Sequence, residues 1–274
     1  MNAAKFQASL INWYDKNGRK DLPWQVSDPY CVWISEIMLQ QTQVTSVIGY
    51  FKKFINRFPT INSLAKASVD DVLSHWSGLG YYNRANNIRK TAIICVENHK
   101  GVLPNQLDEL IALPGIGRTT AGAILSLSHD LPFPILDGNV KRVVSRVFTI
   151  AADKPSELIK NLWAQVEILM PKKNARKYNQ ALMDLGSLLC KRSKPECQQC
   201  PFMRDCQAFN ANLIELYPQK PKKTKQLAKT LHVLLTKKHN QVFLQKRDSK
   251  SILTLLDNTA CSVVVCLFTH ELFL

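Results

Sequence analysis

Four cysteines, Cys190, Cys197, Cys200 and Cys206, fall within 17 residues in the spacing C-x6-C-x2-C-x5-C. Pro195 and Pro201 shape the short loops between them, and a set this tight is suited to enclosing one metal centre. Four thiolates satisfy either a tetrahedral zinc or a [4Fe–4S] cube, and they leave a zinc no open position, so the site reads as structural rather than catalytic. Cys31, Cys95, Cys261 and Cys266 have no Cys or His partner at ligand spacing and read as core residues. A secreted disulfide scaffold is disfavoured, because the first ten residues contain no apolar leader run. The longest apolar stretch, residues 260–268, is far too short for a membrane span. The expectation is a cytoplasmic protein with no membrane association.

Upstream of the cysteines, apolar residues recur at helical spacing over residues 3–16, 30–57, 69–76, 84–99, 106–113, 118–128, 140–148, 156–170 and 175–189. Prolines and glycines punctuate these runs, and no segment alternates like a strand for more than a few residues. The region is therefore expected to be all-α. Composition changes at Tyr217. Residues 218–229 hold two prolines and five lysines with almost no apolar side chains, as a solvated linker does. Residues 231–235 and 241–245 flank His239 and Asn240 and read as a hairpin opening a β-containing segment. Residues 251–274 are apolar and lack Gly and Pro, and match no recognisable fold.

The chain carries 36 Lys and Arg against 21 Asp and Glu, a net charge of +15. An acidic metabolite alone would not require that excess; a nucleic acid would. Leu113-Pro114-Gly115-Ile116-Gly117-Arg118-Thr119 joins two helical segments. Its glycines let the chain turn tightly, and the amides from Gly117 onward open a helix suited to a phosphate. An ordinary αα-hairpin with a glycine turn fits the same string. Glu36 lies on a helix among Trp33, Ile34, Ile37 and Met38, where desolvation would raise its pKa and suit it to general acid work; a place on the helix's solvent stripe is the plainer reading. Asp137 precedes the helix starting near Val140 and is a natural N-cap, held ionised by amides and dipole. An acid and an anion with opposite protonation tendencies suit cleavage of a glycosidic bond.

The cysteine spacing and the Gly-rich hairpin resemble the endonuclease III superfamily of helix–hairpin–helix DNA glycosylases. The strings SEIMLQQTQV from Ser35, GLGYY from Gly78, LPGIGRTTAGAI from Leu113 and LDGNVKRV from Leu136 narrow the resemblance to its adenine DNA glycosylase (MutY) branch, over residues 22–210. That resemblance implies a two-lobed all-α fold with a [4Fe–4S] cluster on the four cysteines. The implied barrel lobe spans residues 22–128, with the helix–hairpin–helix at 107–128, and the cluster lobe pairs residues 1–21 with 131–216. It further implies that Glu36 protonates a flipped adenine, Asp137 stabilises or captures the sugar cation, and Asn139 orients sugar and water. Trp24, Gln25 and Gln180 would line the adenine pocket, and Gln41 and Tyr81 would wedge the duplex beside 8-oxoguanine. Gly115, Gly117, Arg118 and Thr119 would grip the DNA backbone.

Relatives that also cleave the strand carry a lysine where this chain has Thr119, and a hydroxyl cannot form a Schiff base. The implied activity is therefore monofunctional excision of adenine paired with 8-oxoguanine or guanine, by a bacterial, nucleoid-associated monomer acting on double-stranded DNA. A basic linker at 217–229 and a partial MutT-like segment at 230–274 complete the expected organisation, the latter matching the family only over about 231–247. Two rivals stand beside this reading: a bifunctional glycosylase/lyase, and a non-catalytic iron–sulfur DNA-binding protein in which Glu36 is a surface charge and Asp137 only a cap.

Overall fold

The computed structural model describes residues 1–219 together with the strand residues Lys237–Lys238 and Gln241–Val242. The N-terminal elements are helices: α1 (Ala3–Asn17), α2 (Pro29–Leu39), α3 (Val44–Arg57), α4 (Ile61–Lys66), α5 (Val69–Trp76), α6 (Asn83–Asn98), α7 (Leu107–Ile111), α8 (Arg118–His129), α9 (Gly138–Phe148), α10 (Pro155–Leu169), α11 (Ala175–Leu188) and α12 (Gln207–Asn210). Their starts follow local chemistry. Asn2 caps α1, Ser68 caps α5, and Asp28 followed by Pro29 opens α2, each side chain accepting a backbone N–H that would otherwise have no partner. In α9, Val140, Val143, Val144 and Val147 fall on one buried face, which is what turns this run into a helix docked on α11.

Two features depart from the expected segments. The run at 30–57 is two helices, because the chain leaves α2 after Leu39, takes Gln41 through a left-handed φ of 58° and restarts at Val44. No proline or glycine marks that break; it is held from a distance by Arg84 of α6, whose guanidinium donates to the carbonyls of Ile37, Met38 and Gln40. The second departure is α4, which follows Pro59. Thr60 and Ser63 form a reciprocal capping box there, and the box starts a short helix where the proline reads as a stop.

The buried apolar residues form two main cores. One gathers side chains of α2 to α8, from Trp24 to Leu125, around Trp33, Phe54, Trp76 and Ile88. The other joins α1 to α9, α10, α11 and the cysteine loop; Phe6 of α1 stacks on Phe202 at 4.3 Å between ring centroids. A fully buried Leu or Phe contributes about 1.5–3 kcal/mol, so each core offsets a large share of the entropy of ordering its helices. A small third cluster, Val32, Ala123, Leu127 and Ile135, lies where α2 and α8 pack together, with Met183 of α11 against it.

Lys237–Lys238 (β1) pairs antiparallel with Gln241–Val242 (β2), Lys237 opposite Val242 and Lys238 opposite Gln241. This antiparallel pairing flanks His239 and Asn240, which lie outside the described residues, as do the first strand expected at 231–235 and residues 243–245. Most of the expected linker and all other residues of the MutT-like segment lie outside them too. Among the described residues no helix is long and apolar enough to cross a membrane.

Candidate active site

The site begins with an extended strap, residues 131–136, that crosses α8 and delivers Asp137 to the start of α9. Three contacts fix the strap. Thr119 Oγ1 donates to the Leu136 carbonyl at 3.3 Å, Asn179 Nδ2 to the Phe133 carbonyl at 2.8 Å, and the absent side chain of Gly122 admits the Pro134 carbonyl, which would lie 2.5 Å from a Cβ there. Asp137 then caps α9, its Oδ1 accepting the Val140 N–H at 2.7 Å. Its Oδ2 accepts from Asn139 Nδ2 at 2.9 Å, and Asn139 Oδ1 accepts in turn from Arg142 at 2.8 Å.

Glu36, on α2, stands close enough to Asp137 for the two charges to act on each other, although 101 positions separate them in sequence. The residue keeps some accessible surface, but its carboxyl is enclosed by protein, and burial with the Asp137 charge pushes its pKa up from 4.5 to about 8. The solvent-stripe reading of Glu36 is thereby removed. Asp137 also differs from expectation: burial raises its pKa too, against the hydrogen bonds from Val140 and Asn139 and the charge of Arg142, all of which favour the anion. The N-cap geometry expected for it is present, but desolvation outweighs the cap. Of the two carboxyls, Asp137 has donors and a cation for its charge, while no side-chain hydrogen bond reaches Glu36 among the described residues. A single proton shared by this pair therefore resides on Glu36.

Trp24, Gln25 and Gln180 line one open cavity of about 520 Å3, together with Tyr14, Ser35 and Ser128. Trp24 is buried and meets Phe51 edge-on; Gln25 is fixed by bonds to the Arg19 carbonyl and the Leu22 N–H; Gln180 donates to Asp184. Glu36 and Asp137 do not line this cavity, but Ser35 does, so it adjoins the carboxyl pair along α2. Gln41 is exposed and Tyr81 half-buried.

In the hairpin between α7 and α8, Gly115 has φ +80°, and a Cβ there would meet Asn87 at 2.9 Å. Gly117 stands before the first turn of α8 with open space on its Cβ side, and no side chain caps that helix. Thr119 is half-buried and turned to the strap. Arg118 is exposed but already engaged: its guanidinium stacks on Trp163 at 4.0 Å and pairs with Glu167, both on α10.

Cys190, Cys197, Cys200 and Cys206 all face one enclosed space lined by Val143, Val147, Leu185 and Phe202, and their thiols act electrostatically on one another. Arg146 Nη1 donates to Cys190 Sγ at 3.4 Å. Among the described residues no set of three or more His, Cys, Asp or Glu is close enough to grip a single metal ion. Four thiols facing one enclosed space are a donor set suited to a four-cysteine metal centre, zinc or iron–sulfur.

Residues 34–167 match the family model described as HhH-GPD superfamily base excision DNA repair protein. An adenine DNA glycosylase of Buchnera aphidicola (Acyrthosiphon pisum) is 49% identical over 249 residues, covering 90% of this chain and 71% of that protein. The chain belongs to the adenine DNA glycosylase family. It is thus a base excision repair glycosylase, an enzyme that binds DNA. Among solved structures, a thermostable thymine-DNA glycosylase superposes with a TM-score of 0.70 at 26% identity, covering 76% of this chain and 97% of that one. A non-covalent endonuclease III–DNA complex superposes at 0.65 and 21% identity, covering 78% and 99%, a likeness of fold.

In this chain two residues join the site that motif reading passes over. Arg142 donates to Asn139 Oδ1, to the Gly186 carbonyl at 2.6 Å and to the Cys190 carbonyl at 2.5 Å, spanning the carboxyl pair and the cysteine loop. Gly186 lies inside α11, where a Cβ would meet Asn139 Cβ at 2.6 Å. A glycine within a helical run costs up to about 1 kcal/mol relative to alanine, and Gly186, in the last turn of α11, is the signal by which the sequence could have flagged the site.

Proposed function

We propose that the chain excises adenine mispaired with 8-oxoguanine or guanine, by hydrolysis of the N-glycosidic bond and without strand cleavage. The observation that carries this reading is that Glu36 and Asp137 act on each other while hydrogen-bond donors and the Arg142 charge reach Asp137 alone, so a proton held between the two sits on Glu36. Adenine leaves poorly as an anion, so Glu36 supplies a proton to the flipped base. Positive charge then grows on the sugar, and Asp137, already bonded to Val140 N–H and Asn139, stabilises it without reorganising. Asn139 orients the sugar and the attacking water. The base occupies the cavity of Trp24, Gln25 and Gln180, while Gln41 and Tyr81 enter the duplex. The two cores act as two lobes, residues 22–128 and 1–21 with 131–216, and the amides of Gly115 to Thr119 hold a phosphate. Arg118 contributes once its contacts to Trp163 and Glu167 are exchanged for DNA. The four cysteines hold a [4Fe–4S] cluster with a structural role, and the enzyme works as a monomer on chromosomal DNA.

Thr119 hydroxyl cannot form an imine, which favours base removal alone. The test is single-turnover reaction with duplexes holding A:8-oxoguanine, A:G and A:T, resolved with and without alkali. Strand breaks that need alkali, from the two mispairs and not from A:T, are expected. Breaks without alkali would support the bifunctional rival, and no breaks at all the non-catalytic one.

A further inference from the structure

Two non-glycine residues on this face of the molecule hold left-handed backbone angles: Gln41 at φ 58° and Tyr81 at φ 51°. Such angles are unfavourable for residues with a side chain and persist only where the surroundings impose them. The same side chain stands behind both. Arg84, 9% exposed, sends Nη1 to the carbonyls of Ile37 (2.8 Å), Met38 (3.0 Å) and Gln40 (2.6 Å). Its Nη2 donates to the carbonyls of Leu79 and Gly80, both at 3.2 Å, and to Thr42 Oγ1 at 3.4 Å. The guanidinium carbon sits 5.3 Å from the Tyr81 ring centroid and 5.4 Å from that of Trp76.

These carbonyls lie at the end of α2 and in the turn that follows α5, where the helix dipoles are negative; those of Ile37, Gln40 and Gly80 also accept from the Gln40 N–H, Thr42 Oγ1 and Trp76 Nε1. No carboxylate pairs with Arg84 among the described residues; helix ends and ring faces alone balance its charge. Gln40 and Gly80 are the residues immediately before the two left-handed positions. Fixing each of those carbonyls fixes the peptide plane from which Gln41 or Tyr81 departs. A lysine has the charge but not the planar fork, so it cannot hold both loops at once.

We propose that Arg84 is a positioning residue that locks the loops of Gln41 and Tyr81 into one rigid wedge, so that both enter the duplex together. The proposal rests on the wedge reading of Gln41 and Tyr81. It makes Arg84 necessary for opening a paired duplex and dispensable for chemistry on a base already unpaired. Without the lock each loop would relax toward ordinary backbone angles, and the two would lose their common register.

The test compares single-turnover adenine excision from two duplexes, one with adenine opposite 8-oxoguanine and one with adenine opposite a tetrahydrofuran abasic analogue, where no partner base holds it. Arg84→Lys should lose about a hundredfold on the first, the scale of loss for a misplacement of about 1 Å, and only a few-fold on the second. Thr42→Val removes the one side-chain acceptor of the guanidinium and should show the same selectivity with a smaller loss. Equal losses on both duplexes, or no loss on either, would overturn the proposal. If Arg84→Lys fails to fold by circular dichroism, the Thr42→Val comparison decides alone. Tyr81→Ala serves as the control: without a selective loss there, the wedge reading itself fails, whereas its presence beside a non-selective Arg84→Lys defeats only the role of Arg84.

Discussion

Glu36 carries a proton at neutral pH because its carboxyl is enclosed near another carboxyl, and this has a consequence for folding. In the unfolded chain it ionises near its ordinary value of 4.5, in the folded protein near 8, so the folded state binds the extra proton between these values. The contribution is fully present below about pH 4.5 and is lost as pH rises through 8. Glu36→Gln, which cannot ionise, should therefore gain thermal stability over the parent as pH is raised across that window, the gap levelling above it. Thermal melts at pH 5, 7 and 9 check this; a constant gap would place Glu36 in solvent. Gly186→Ala should push Asn139 and the start of α9 aside, lowering excision by tenfold or more and costing about 1–3 kcal/mol, the usual loss on overpacking. A parent-like rate and melting temperature would show that the contact relaxes freely. Residue identities at such positions are legible in sequence, but their states are not. Glu36 stands among apolar neighbours in the string itself, whereas the burial that overrides the Asp137 cap belongs to the folded protein and leaves no mark in the string.

At the scale of elements, the hairpin between α7 and α8 is the part of the machinery a short string specifies most fully. Gly115, at φ +80°, fixes the turn, and the open space beside Gly117, whose backbone is ordinarily extended, means a side chain there is tolerated by the fold. Gly117→Asp should thus keep the parent's melting temperature while weakening DNA binding by placing a carboxylate where a phosphate approaches, with a shallower dependence of log affinity on log salt. Titration over 50–200 mM salt reads both quantities, and coincident lines for variant and parent would mean the hairpin does not touch DNA. Other elements were less legible for a physical reason. The break between α2 and α3 has no glycine or proline, and Arg84, more than forty residues on, supplies donors to three of its carbonyls. α4 hides behind Pro59 because its capping box is a two-residue signal weaker than the proline before it.

For the whole molecule, periodicity indicates an all-α chain and locates the helices, but not how they associate. The pairing of α1 with the cysteine loop through Phe6 and Phe202 spans 196 positions, and no local rule contains it. That packing makes the four-cysteine loop part of the second core, so a metal bound there and the fold should be linked. Anaerobically purified protein should be yellow-brown with about four irons per chain, and removing the iron should lower the melting temperature. A colourless protein holding one zinc would contradict the cluster.

The catalytic account stands on Asp137 acting as a charge and not merely as a cap. Asp137→Asn keeps an acceptor for the Val140 N–H and removes the anion, so it separates the two roles. The decisive measurement is the single-turnover rate of adenine excision from an A:8-oxoguanine duplex by Asp137→Asn, with its melting temperature recorded beside it. A rate lower by about 100- to 1000-fold, the usual loss for one preorganised electrostatic group, with little change in melting temperature is the expected result. A parent-like rate in a protein that melts earlier would contradict it.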